Sequence, residues 1–125
     1  MKHVLIVGAS RGLGFELTRV ALRQSTRVTA IARRATPALE ALRAQQEGLL
    51  TIGLADVRSD AELQSVAEGL GEVRFDGIVY NAAVHHGGDD IESASAADML
   101  ATLDVNTVGA ARVVRYFRPR LAPGG

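Results

Sequence analysis

Four short apolar runs alternate with stretches of helical periodicity along this chain, and that alternation leaves few folds open. Val4–Val7, Arg27–Ala32, Leu49–Leu54 and Phe75–Tyr80 read as strands. Runs of this length, without polar alternation, suit strands buried on both faces. Strands joined through helices must lie parallel, and right-handed crossovers spread the helices over both sides of the sheet. The expected fold class is α/β: a doubly wound parallel sheet in a three-layer α/β/α arrangement, forming one domain over residues 1–125. No internal repeat, low-complexity tract or linker divides it.

The helices announce themselves by their ends. Residues 12–24 place Leu13, Leu17, Val20, Ala21 and Gln24 at helical spacing, with Leu and Val on one face. Thr36-Pro37 supplies an N-cap and a proline in the first turn, where its missing N–H costs nothing. Ser59-Asp60-Ala61-Glu62 has the pattern of a capping box, ahead of the apolar face Leu63, Val66, Ala67 and Leu70. Gly48 and Gly71 close these two helices. Ser95-Ala96-Ala97-Asp98 opens one long helix, with Leu100, Leu103, Thr107, Ala110 and Val114 on a stripe that ends before Pro119.

Composition narrows the function. The formal net charge is zero, which argues against nucleic acid or an anionic membrane as a partner held by bulk electrostatics. Cysteine is absent, excluding disulfides, thiolate metal sites and a cysteine nucleophile, and fitting a reducing compartment. No segment approaches the roughly 20 apolar residues of a membrane span, so a cytoplasmic protein is expected. Residues 1–50 carry eight Lys/Arg against three Asp/Glu, and residues 51–125 carry six against eleven. A basic front half suits an anionic ligand there, as it also suits a solvated helix face. His85-His86 with Asp89-Asp90 is not expected to hold a metal: adjacent histidines project apart and no third ligand has motif spacing.

Gly8-Ala9-Ser10-Arg11-Gly12-Leu13-Gly14 sits where the first strand turns into the first helix. Gly8 permits a backbone conformation that a side chain opposes. Gly12 lets the main chain approach a pyrophosphate, and Gly14 lets the helix pack close to the sheet. Free N–H groups and the positive end of the helix dipole would then meet the phosphates. This is the pattern of a Rossmann-type dinucleotide site.

The spacing G-x-x-x-G-x-G resembles that of the short-chain dehydrogenase/reductase family, with Val7 in place of the usual threonine. The resemblance implies cofactor contacts from Gly8, Ser10, Arg11, Gly12, Leu13 and Gly14. Selection between NAD and NADP falls at the end of the second strand, where a carboxylate would repel a 2′-phosphate. This chain has Arg33 and Arg34 there, and Arg11 is a second position from which relatives reach that phosphate, so NADP is expected over NAD. Guanidinium groups suit a phosphate through paired hydrogen bonds. By the same resemblance, Asp56 and Val57 flank adenine. Asn81 and Ala82 match the Asn-Asn-Ala-Gly turn beside the nicotinamide ribose, Tyr80 and Ala83 depart from it, and Asn81, Ala82 and Ala83 are the expected contacts there. Asn106, in Val105-Asn106-Thr107-Val108-Gly109, matches the helix asparagine that orders a proton-relay water in the family.

That family transfers hydride between a nicotinamide and a carbonyl or alcohol, the small-molecule substrate expected of an intact form. A serine and a Tyr-x-x-x-Lys pair do the proton chemistry. Neither is found here: Lys2 is the sole lysine, and Tyr116-Phe117-Arg118-Pro119-Arg120 offers an arginine that cannot exchange its proton. The expectation is a chain truncated after the fourth strand and its helix, inactive as it stands, with strand order 3-2-1-4 leaving the fourth strand as an edge open to self-association. A homo-oligomer is a further expectation. The alternatives are a non-catalytic dinucleotide-binding or interaction module and, less favoured, another Rossmann enzyme such as a methyltransferase.

Overall fold

Apolar runs become strands here because the fold can bury them from two sides. The computed structural model describes residues 2–125. It contains β1 (His3–Val7), α1 (Gly12–Arg23), β2 (Arg27–Ala32), α2 (Pro37–Gln45), β3 (Leu50–Leu54), α3 (Asp60–Gly69) and β4 (Gly77–Tyr80). After them come α4 (Ala96–Leu103), a π-helical turn (Asp104–Val108), α5 (Gly109–Phe117) and a short 3-10 turn at Arg118–Arg120. The sheet order is β3-β2-β1-β4 and every pairing is parallel, Val4 to Val7 aligning with Gly77 to Tyr80.

Side chains alternate across that sheet. Leu5, Val7 and Ile31 face α3 and α5, packing with Leu63, Val113, Phe117 and Phe75. Ile6, Val28 and Ala30 face α1 and α2, packing with Leu22, Leu39 and Leu42. Thr36, Ser59 and Ser95 cap α2, α3 and α4 as expected, each hydroxyl accepting from the backbone N–H three residues on. The capping box at Ser59 is only half formed, because the Glu62 carboxylate accepts from the Asp56 amide (2.6 Å) instead of reaching back to Ser59.

Two helix faces differ from expectation. In α1 the buried residues are Gly14, Thr18 and Leu22, while Leu13 is 66% exposed and Leu17 and Val20 also face outward. Small residues take the sheet-facing side at the start of α1, where a Cβ on Gly14 would fall 2.0 Å from the Gly8 carbonyl oxygen, and the Thr18 hydroxyl turns inward onto the Gly14 carbonyl (2.9 Å); Leu22 fits further along. The long helix is interrupted by the π turn, and its inner stripe is Val105, Gly109, Val113 and Phe117. Leu100, Leu103 and Val114 lie on the outer face. β4 begins later than expected; Phe75 instead forms a single parallel bridge with Leu121, its amide donating to the Arg120 carbonyl at 2.8 Å. No helix is long and apolar enough to cross a membrane among the described residues.

Candidate functional site

At the carboxyl ends of β1 and β4 three segments converge. Gly8 takes φ +84°, and its amide and that of Ala9 donate to the Ile31 carbonyl at 2.9 and 3.3 Å. Those two amides are therefore committed to the sheet. The chain then passes through Ser10 to Arg11, whose extended backbone precedes α1 with no side-chain cap and no acidic residue in the first turn. The other long-loop helix starts are capped by a hydroxyl; α1 leaves its positive end open. Gly12 adopts φ +56°, and a Cβ there would meet nothing within 4 Å, so its outer side faces free space. Gly14 is glycine for packing, since its Cβ would fall 2.0 Å from the Gly8 carbonyl oxygen.

The loop after β4 crosses directly over this turn. The Asn81 amide continues the parallel ladder onto the Val7 carbonyl (2.9 Å), and Ala82 N would lie 2.6 Å from a Cβ on Gly8. Gly8 is thus demanded twice, by its φ and by Ala82. Between these segments lies a groove of about 630 Å³. Of the expected residues, Gly8, Ser10, Arg11, Gly12, Leu13, Arg33, Asp56, Val57, Asn81, Ala82 and Ala83 line it. Gly14 stands behind it. Arg34 is not on the groove; of the two arginines that follow β2, Arg33 lines it.

Asn106 reaches the site from the π turn without lining the groove. Its Oδ1 accepts from the Val84 amide and its Nδ2 donates to the Val84 carbonyl, both at 2.8 Å, so its carboxamide is spent on holding the loop that follows Asn81–Ala83. The turn is held from two more sides. The Tyr80 hydroxyl donates to the Val105 carbonyl at 2.5 Å, and Arg112 donates to the Asp104 carbonyl and to Val57 O, each at 3.3 Å. A Cβ on Gly109 would sit 2.5 Å from Tyr80 Oη and 3.0 Å from Val57 Cγ2, which explains the glycine of Asn-x-x-Gly. Tyr80 is therefore a brace for the π turn as well as filler.

Charge is concentrated at the far end. Arg11, Arg33 and Arg58 line the groove, and Asp56 is the carboxylate among the lining residues. Arg58 and Val84 went unnoticed in the sequence, and His86 was weighed there only as a metal ligand; the signal for Arg58 was a basic residue two positions after the aspartate that follows β3. The Arg58 guanidinium beside Asp56 (Nη2–Oδ2 2.6 Å) lowers the carboxyl to about 2, aided by the Arg58 amide and the charge of Arg33 and opposed by partial burial.

Both tyrosine hydroxyls of the chain are hydrogen-bonded. Burial pushes the Tyr80 hydroxyl above its ordinary range, and Asp60 does so for Tyr116, whose hydroxyl donates to it at 2.8 Å. Both hydroxyls are engaged, and the single lysine, Lys2, lies at the start of the chain, before β1. His85 Nε2 lies 3.4 Å from Asp89 Oδ1, and no cluster of three metal-ligating side chains occurs among the described residues.

Parallel strands in the order 3-2-1-4, with a glycine turn and an uncapped helix start at the crevice, define a Rossmann-type fold. The family model described as short chain dehydrogenase matches residues 2–125, and the chain belongs to that family. It is 33% identical over 129 residues to an NADPH-dependent pterin aldehyde reductase of Arabidopsis thaliana, covering 98% of this chain and 52% of that protein. It superposes on a carbonyl reductase of Pseudomonas aeruginosa PAO1 with a TM-score of 0.91 at 32% identity, covering all of this chain and 59% of the other. The same reductase in complex with NADP gives 0.91 and 32%, with 58% of its length covered. The chain spans about half the length of the curated relative it matches.

Proposed function

We propose that the groove binds NADP(H) in preference to NAD(H), and that the chain is the nucleotide-binding part of an oxidoreductase acting on a carbonyl or alcohol. One observation carries the reading: α1 opens uncapped at Gly12 onto a groove whose rim carries Arg11 and Arg33, where a carboxylate would select NAD. The open side of Gly12 leaves room for a diphosphate. The bound nicotinamide would supply a hydride; the chain's own residues bind and orient. Arg33 and Arg11 hold an extra phosphate, Ala82 and Ala83 offer a flat backbone surface, and Asn106 positions the loop through Val84. The NADPH dependence of the Arabidopsis reductase and the NADP complex of the Pseudomonas reductase support the cofactor reading.

Backbone NMR tests it. Adding NADPH should shift the amides of residues 10–14 and 81–84 and leave those of α3 unmoved; shifts confined elsewhere would refute it. A second reading, a non-catalytic dinucleotide-binding module, is favoured by the engagement of both tyrosines and the remoteness of Lys2. NADPH oxidation with an aldehyde panel bears on both: turnover by residues 1–125 would refute the non-catalytic reading. Self-association is a further part of the reading, supported by the outward leucines of α4 and the single neighbour of β4. Sedimentation showing a monomer at all concentrations would remove it.

A further inference from the structure

We infer that Arg58 determines cofactor preference indirectly: by claiming both oxygens of Asp56, it removes the negative charge of the groove's phosphate-selecting end and leaves Arg33 free for a 2′-phosphate. The inference rests on the groove taking a phosphorylated dinucleotide. Arg58 Nη2 meets Asp56 Oδ2 at 2.6 Å, and Nε lies 3.0 Å from Oδ1 and 3.2 Å from Oδ2. The Arg58 amide also donates to Oδ1 (2.9 Å), so the carboxylate is fixed from the backbone before the guanidinium folds over it. Both residues line the groove together with Arg33.

The Arg33 charge reaches Asp56, yet Arg33 makes no side-chain hydrogen bond or ion pair among the described residues. Remove Arg58 and Asp56 has two courses. It can stand ionised and repel the phosphate, or it can draw Arg33 onto itself. Either course penalises the cofactor bearing the additional phosphate and spares the other. The nearby carboxylates do not intervene: Arg112 holds Asp104 at 2.8 Å and lies 3.4 Å from Asp60, while Glu62 accepts the Asp56 amide. Exposed ion pairs contribute little to stability, so the consequence of this pair lies in the potential of the groove, and loss of Arg58 leaves the fold intact.

The experiment is a titration of the wild type, Arg58→Gln, Asp56→Asn and the double variant with NADPH and NADH, reading the ratio of the two dissociation constants. Adenine is common to both cofactors, so any lost contact to Asp56 cancels in that ratio. Arg58→Gln should shrink the NADPH preference about fivefold, the size of one unscreened charge at such a surface. The double variant should return to within about twofold of the wild type, because nothing is left to neutralise. A ratio unchanged in Arg58→Gln overturns the inference. So does a double variant no better than the single one, which would mean that Arg58 touches the phosphate itself. A wild type that binds neither nucleotide removes the groove reading and this inference together; a wild type that prefers NADPH beside an indifferent Arg58→Gln removes the inference alone.

Discussion

Asn106 and Val84 form a closed two-bond pair, carboxamide against main chain, with both bonds 2.8 Å long. It joins the π turn to the loop flanking the groove, so one side chain on a helix sets the path of a segment 22 residues earlier. Asn106→Leu keeps the shape and removes both bonds. We expect a loss of about 1 kcal/mol in urea unfolding, because the pair is solvent-exposed, and faster hydrogen exchange at the Val84 amide. Asn106→Asp keeps the acceptor and should fall between. Unchanged protection at Val84 would contradict this.

Gly12 and Gly14 are glycines for different reasons, and alanine separates them. Gly14→Ala drives a methyl into the Gly8 carbonyl, backbone against backbone, and should cost on the order of 3 kcal/mol. Gly12→Ala meets open space and pays only for its positive φ, about 1 kcal/mol. Its methyl stands where a diphosphate would approach, so NADPH affinity should fall at least about tenfold, the loss of one charge-assisted hydrogen bond. Thermal melts beside titrations check both; a folded Gly12→Ala that binds normally would move the phosphate site elsewhere.

The Tyr80 hydroxyl occupies the space that a Cβ on Gly109 would need. Gly109→Ala should destabilise by about 2 kcal/mol. In a Tyr80→Phe background the same change should cost about 1 kcal/mol less, since the atom 2.5 Å away is gone. Additive effects in a double-mutant cycle would show that Val57, not Tyr80, sets the limit.

Stability should depend on His3. Burial, with Arg27 nearby, lowers its pKa below the ordinary 6.5, and Asp76 only partly offsets this. The ring sits edge-on to Phe75 (5.0 Å) with Nε2 3.0 Å from the buried Thr29 hydroxyl. The unfolded chain takes up a proton near 6.5 and the folded one resists until lower pH. The contribution is therefore present above about 6.5 and is lost as pH falls below it toward the folded value. Denaturation midpoints of the wild type should decline over that window, and those of His3→Gln should decline less. Parallel curves would rule out this titration.

What the sequence made legible was local. Strand ends at Val7, Ala32, Leu54 and Tyr80, three hydroxyl caps and the glycine turn follow from short-range rules, and all appear at or within a residue of where those rules put them. Helix faces were harder to read. The apolar stripes Leu13–Leu17–Val20 and Leu100–Leu103–Val114 have the period of a core face, yet close approach to the sheet selected Gly14 and Thr18 on one helix and Gly109 and Val113 on another. The π turn left no local trace, because Tyr80, Arg112 and Asn106 tie it to β4, Val57 and Val84. Arg33 and Arg34 are indistinguishable in sequence, and it takes the fold to place Arg33 on the groove and Arg34 off it.

The most direct measurement is calorimetric titration of the folded chain with NADPH and, separately, NADH. Saturable one-to-one binding is expected for both, tighter for NADPH, with the difference reduced in Arg33→Asp. Equal affinities would contradict the role given to the arginines, and no heat with either nucleotide would contradict binding at the glycine turn altogether.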